Sequence, residues 1–339
     1  MAALMGCRGG ADVPPDFAGE PCPRLIGVWP TWTDATEPTT EQLDSISHLA
    51  IAFALPTHDG ELDTADVDKV LPRLKPLLSA RDIEMVLSIG GAVGYGDAFI
   101  DISKDERLRA KFSENVTQYV IDNGFDGVDI DWEFWSQQAI RLEGGNDPVE
   151  SRLLLTLLKD LRESLPAHVE LSADIFAGRY YGPQYLSEMQ NELDFVNLMA
   201  FDFTGAWPES DVSHHSDDST VRLALKDVEN RGFRAENLVV GIPAYGIRFE
   251  DGKTDSINKV PHKDIIEPNM ANLSAVLDGD RIGHTFFETP SNTRAKVWYA
   301  MSKGVRGFFL FDLTQDTAIP EWSILASIDR AIEATSCSR

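Results

Sequence analysis

The chain has 339 residues, 43% of them hydrophobic, enough to bury the core of one large or two ordinary domains. Its formal net charge of −25 and pI near 4.5 oppose binding to phosphate backbones or anionic lipid and leave a neutral ligand such as a sugar open. No apolar run approaches the ~20 residues of a membrane-spanning helix, so neither nucleic acid nor a membrane-spanning role is expected.

In chain order, the opening ALMGC resembles the end of a bacterial lipoprotein signal, but it lacks the charged start and long apolar stretch of one. Residues 1–23 are therefore read as an N-terminal tail, either a signal or lipobox remnant or an ordinary free end. The three cysteines, Cys7, Cys22 and Cys337, are too sparse for a disulfide framework and lack the C-x-x-C spacing of a metal site. From Arg24 onward, strand-like runs recur at 24–29, 48–55, 84–90, 125–131, 169–175, 195–201, 238–244 and 307–311. Amphipathic helical patterns alternate with them. In the clearest, Leu108, Phe112, Val116 and Tyr119 or Val120 recur every three or four residues before Gly124 ends the helix. Pro72 and Pro76 interrupt an earlier one whose Val70, Leu74 and Leu77 stripe stays readable.

Continuously apolar strands alternating with helices imply a parallel sheet covered by helices. Eight such units in about 310 residues fit an α/β protein with a closed (β/α)8 TIM barrel, a single domain over 24–335. The segment from Arg248 to Pro290 is longer than a simple connection and predicts a small insertion on the barrel rim. In a closed barrel the first strand and the last helix are neighbours. Cys22 and Cys337 then fall within the ~4.4 to 6.8 Å between α-carbons that a disulfide needs.

The fourth strand reads GFDGVDIDWEFW and holds Asp126, Asp129, Asp131 and Glu133. Side chains alternate across a strand, so Asp129, Asp131 and Glu133 share one face while Val128, Ile130 and Trp132 share the other. If the acid face is the barrel interior, three carboxyls climb towards the carboxyl end, where barrel enzymes place their chemistry. So crowded, they cannot ionise independently, and at least one pKa rises. A carboxyl held protonated near neutral pH is what protonation of a glycosidic oxygen requires. Asp126 instead fits structural support or a cap.

The D-x-x-D-x-D-x-E pattern of these four acids resembles the signature of glycoside hydrolase family 18, the chitinases and some endo-β-N-acetylglucosaminidases. SIGG (Ser88 to Gly91), NLMAFD (Asn197 to Asp202), GIPAYG (Gly241 to Gly246) and GFFLFDL (Gly307 to Leu313) are similar to the family's third-, sixth-, seventh- and eighth-strand motifs. The resemblance implies substrate-assisted hydrolysis of β-1,4 bonds beside N-acetylglucosamine. In it Glu133 is the acid, Asp131 orients the substrate's 2-acetamido group, and Asp129 beneath shares a proton. It also implies substrate contacts at Met199, Phe201, Asp202, Tyr245, Phe311, Gly90 and Gly91, with Ser88 as support. Two positions depart from the pattern, since the family usually carries Tyr where Phe201 stands and Trp where Phe311 stands. Loss of the Tyr hydroxyl predicts slow turnover unless a donor from the fifth- or sixth-strand loops substitutes.

Trp29, Trp32, Trp135 and Trp207 follow strands and are candidate stacking surfaces for sugar rings, with Tyr95, Phe176, Tyr180 and Tyr181 as additions to such a cleft. Trp298 and Trp322 fall in helical patterns and read as core. DVSHHSDD, from Asp211 to Asp218, reads as a loop rather than a metal site, because adjacent histidines diverge. GGAVGYG, from Gly90 to Gly96, lacks the dinucleotide fingerprint and reads as a substrate loop. No cofactor or metal is expected. The expected partner is an oligo- or polysaccharide containing N-acetylglucosamine, met by a secreted or cell-surface monomer. Chitin is the first substrate; glycoprotein glycans, peptidoglycan-like polymers and a non-catalytic lectin are the alternatives.

Overall fold

The computed structural model describes residues 14–35, 37–92, 96–133, 148–178, 184–207 and 209–337. Eight parallel strands form a closed barrel: Arg24–Pro30, His48–Pro56, Glu84–Gly90, Gly127–Asp131, Glu170–Phe176, Phe195–Met199, Leu238–Pro243 and Gly307–Phe311. Closure is explicit in the register, because the first strand pairs with both the second (Ile26 with His48) and the eighth (Arg24 with Gly307). These are the eight expected runs, with ends shifted by a few residues.

The helices between them follow local chemistry. Asp105 caps the helix Glu106–Asn123 by accepting from the Arg107 and Leu108 amides, and Gly124 ends it at φ 63°, a left-handed conformation that glycine adopts without strain. Its Phe112, Val116 and Val120 are buried against the barrel. The helix Ala65–Ser79 contains Pro72 and Pro76 and persists. Its buried Val67, Val70, Leu71, Leu74 and Leu78 offset the lost backbone bonds. Short helices at Thr40–Ser45 and Gly96–Lys104 were not anticipated by periodicity.

Two apolar layers result from strand alternation. An outer layer between sheet and helices contains Leu25, Trp29, Leu49, Ile51, Val128, Ile130 and Trp132. Inside the barrel lie Ile26, Val28, Ala50, Val86, Phe195, Met199, Val239 and Phe309. The rim insertion exists and begins slightly earlier than expected. Tyr245–Phe249 pairs antiparallel with Ile257–Pro261 and with Thr285–Phe286, which pairs in turn with Arg281–Ile282. It packs on its own small core of Ile265, Ile266, Leu273 and Phe287. Cys22 and Cys337 form a disulfide with α-carbons 4.9 Å apart, as barrel closure predicts.

Candidate active site

A cavity of about 360 Å³ opens inside the barrel. Its wall combines the apolar interior of the first, second and eighth strands with a polar sector from the fourth, fifth and sixth. Asp129, Asp131 and Glu133 all line it, on the face that alternation assigned to them.

Asp129 lies deepest. Ser88 donates to its Oδ2 at 2.8 Å, and Ser172 and Asn197 donate to its Oδ1 at 2.7 and 3.0 Å. Burial raises its pKa against these three donors. Asp131 is raised well above the carboxylate range, first by burial and then by the neighbouring charges of Glu133, Asp174 and Asp129. It is hydrogen-bonded with Glu133, and its Oδ1 has no partner. Burial pushes Glu133 up to about 7, with Lys259 opposing the rise and Asp202 adding to it.

Asp202 goes the other way. Burial alone would raise it, but the hydrogen bond with His215 and the charge of Lys259 hold it below the usual carboxylate range. Lys259 Nζ donates to its Oδ2 at 2.6 Å, the Tyr245 hydroxyl to its Oδ1 at 2.8 Å, and His215 Nδ1 lies 3.2 Å from Oδ1. Asp202 itself sits at φ 57°, in the left-handed region. Phe201 lines the cavity between Tyr245 and Phe309, edge-on to both, and stacks on Phe311. Met199 and Phe311 line it too.

Other expected contacts lie elsewhere. Trp29 is only 1% exposed and faces the helices, because its neighbour Val28 takes the interior face. The sugar-stacking reading of Trp29 is therefore corrected to core packing. Gly90 and Gly91 back the site instead of lining it. A Cβ on Gly90 would fall 2.1 Å from the Asp131 carbonyl oxygen and one on Gly91 2.5 Å from the Phe53 ring, while the Gly91 amide donates to that carbonyl at 2.9 Å. Asp126 is remote from the cavity, accepting from the Met85 amide at 2.8 Å. Trp32 is 55% exposed and stacks on Phe53, itself a cavity residue. Trp207 folds over Gly205 and is absent from the cavity wall. Trp135, Tyr95, Tyr180 and Tyr181 lie outside the described residues. The rings of His214 and His215 are nearly parallel at 5.6 Å, not divergent.

Sequence reading missed Asp174, Asn197, His215 and Lys259 as site residues. Asp174 had a signal: Glu170, Ser172 and Asp174 alternate with Leu171, Ala173 and Ile175, the same pattern that exposed Asp129 and Asp131. Lys259 had none, since only folding of the insertion brings it 57 residues back to Asp202.

Residues 24–316 match the pattern of the Glycosyl hydrolases family 18. The chain belongs to glycoside hydrolase family 18. It is 26% identical over 351 residues to Endochitinase 1 of Metarhizium anisopliae, covering 85% of this chain and 79% of that one. Among solved structures it resembles a chitinase from the chitin utilization locus of Flavobacterium johnsoniae, with TM-score 0.74, 25% identity, and 92% and 94% of the two chains covered. The Ostrinia furnacalis Group IV chitinase in complex with allosamidin shares the fold at TM-score 0.77 and 19% identity, over 93% and 100% of the chains. This family 18 member is thus a glycoside hydrolase built on a (β/α)8 barrel.

Proposed function

We propose that this enzyme is a retaining glycosidase that cleaves β-1,4 bonds beside N-acetylglucosamine in chitin or chito-oligosaccharides. The observation that carries the reading is Glu133: a cavity carboxyl pushed up to about 7 and hydrogen-bonded with Asp131. Such a group holds a proton near neutral pH and can release it to a leaving oxygen. Relatives named as chitinases support the substrate class.

In the proposed reaction Glu133 gives its proton to the glycosidic oxygen as the bond from that oxygen to C1 breaks, the bonding pair staying on the oxygen. The carbonyl oxygen of the substrate's 2-acetamido group bonds to C1, forming an oxazolinium ion. Asp131 accepts from the amide N–H and offsets the positive charge, and Asp129 beneath it shares a proton. Water then attacks C1 as the C1–oxygen bond of the oxazolinium breaks, its electron pair returning to the acetamido carbonyl oxygen; the water loses a proton to Glu133, which restores the acid with configuration retained. The sugar itself supplies the nucleophile, unlike the scheme that uses two protein carboxylates. A secreted or surface location is part of the proposal, and the Cys22–Cys337 disulfide favours an oxidising compartment.

Incubation with chitohexaose and, separately, a high-mannose glycopeptide, with products read by mass spectrometry, tests the substrate. Shortened chito-oligosaccharides are expected; cleavage of the glycopeptide alone would replace chitin with protein-linked glycans. Glu133→Gln should lower kcat by at least ~10²-fold while chitohexaose still binds. Unchanged turnover in that variant would remove Glu133 from its role.

A further inference from the structure

The fifth strand brings a fourth carboxyl into the cavity. Asp174 pairs in register with Asn197 on the sixth strand and lies one residue beyond the pairing of Ala173 with Ile130, at the height of Asp131. It lines the cavity, and its Oδ1 is buried without a hydrogen-bond partner. A buried, unpartnered polar atom on a residue that lines a ligand cavity is costly unless a ligand completes it.

The donors around it identify what it would complete. Among the described residues lining the cavity, Tyr245 OH is committed to Asp202, and the half-exposed Lys259 gives one of its three N–H groups to Asp202 at the mouth, away from the enclosed wall of acids. Ser88 is committed to Asp129, as is Ser172 behind it, and the Asn197 amide is shared between Asp129 and Asp174. Phe53, Phe176, Met199, Phe201, Phe309 and Phe311 have no side-chain donor. Glu133 is reserved for the leaving oxygen and Asp131 for the amide N–H. Among the enclosed side chains, the amide carbonyl oxygen, which must be held beneath C1 to attack it, is left with Asp174. We propose that Asp174 is a further catalytic residue, whose carboxyl donates a hydrogen bond to the carbonyl oxygen of the substrate's 2-acetamido group.

The proposal rests on the chitinase reading and assigns the donor that Phe201 lacks. It requires a protonated Asp174, since a carboxylate would repel that oxygen. The groups facing it are Asp129, Asp131 and Glu133 from the fourth strand and the neutral Asn197 from the sixth, with Asp202 and Lys259 at the rim. Burial and then the charge of Asp129 hold the proton on Asp174, against the pull of the Asn197 amide.

Asp174→Leu and Asp174→Asn separate donor from shape, because Asn keeps an N–H donor and Leu keeps only bulk. With chitohexaose, Leu should lower kcat about 10²-fold, the usual loss for one donor at a developing charge, while Asn stays within about tenfold of the parent. Equal kcat in parent and Leu variant, with circular dichroism unchanged, would overturn the role of Asp174 alone. A parent that does not cut chitohexaose would overturn this role together with the chitinase reading. If the Leu variant does not fold, binding decides. In the Glu133→Gln background, chitohexaose affinity should fall with rising pH and do so less when Asp174→Asn is added; superimposed pH profiles would overturn the proposal. So would tighter binding of the fully deacetylated oligomer, which would make Asp174 the partner of a free amine.

Discussion

Glu133 and Asp202 occupy one cavity and titrate in opposite directions, because one carboxyl is buried among acids and the other is held by a lysine, a tyrosine and a histidine. Lys259 connects the two, since its ammonium binds Asp202 and also limits how far Glu133 rises. Glu133 must be protonated to act, so kcat should fall as pH rises through about 7. Lys259→Met removes the charge that favours the Glu133 carboxylate. The alkaline limb of the kcat profile should therefore move to higher pH, whereas Lys259→Arg should leave it near the parent position. A limb that stays fixed in the Met variant would uncouple Lys259 from Glu133.

Between elements, a buried ion pair secures the loop that carries His215. Lys296, on the helix Pro290–Ser302, donates to the Glu288 carboxylate and to the carbonyl and hydroxyl oxygens of Ser216 at 2.8 and 3.1 Å. Thr293 donates to the second Glu288 oxygen at 3.1 Å. Burial and the charges of His215 and Lys296 push the adjacent His214 down to about 3, so it remains neutral. Both members of the pair are buried, and leaving one alone costs more than losing both. Lys296→Met should reduce unfolding free energy by about 3–5 kcal/mol, and adding Glu288→Leu should recover much of that. Urea denaturation of the two variants checks both values; equal midpoints for parent and Lys296→Met would mean the pair contributes little. The same element scale explains Gly90, whose φ of 121° and contact with the Asp131 carbonyl admit no side chain.

At the scale of the molecule, barrel closure is held by strand pairing and by one covalent link. The Cys22–Cys337 bond joins residues 315 positions apart. Restricting so long a loop in the unfolded chain should stabilise the fold by about 2–5 kcal/mol. Cys22→Ser, or reduction, should lower the urea midpoint by a corresponding amount; no change would show that the non-covalent barrel suffices. Stability should also depend on pH through the buried acids. Glu133 has a folded pKa raised from 4.5 to about 7, and Asp129, Asp131, Asp174 and His48 are raised as well. A raised pKa means the folded state binds more protons than the unfolded chain. The stability these groups add is full below their unfolded pKa values and is lost as pH rises through the folded ones. The lowered Asp202, Glu170 and Glu84 act oppositely, adding stability above about pH 4 that is lost on acidification. His214, lowered from 6.5 to about 3, adds stability that is lost as pH falls below 6.5; this single histidine opposes four raised carboxyls in the neutral range. Unfolding free energy should therefore be greater near pH 5.5 than near pH 8. Chemical denaturation at the two values tests this, and greater stability at pH 8 would contradict the assigned directions.

The fold was legible because its signals are local and repeated. Eight apolar runs, helical stripes between them and the long gap before Pro290 state a barrel with a rim insertion, and period-two alternation placed Asp129, Asp131 and Glu133 on one face. Alternation also contained the outcome for Trp29, whose neighbour Val28 takes the interior. Whether a given face turns inward, however, depends on how the sheet closes. Lys259, His215 and the freedom of the Asp174 Oδ1 were decided only by tertiary structure. Each depends on which side chains from distant segments share a small dry volume and which of their hydrogen bonds are already taken. Local pattern specifies what a strand or helix will be. The protonation state of a buried carboxyl is set by desolvation and by neighbours that the linear order leaves far apart.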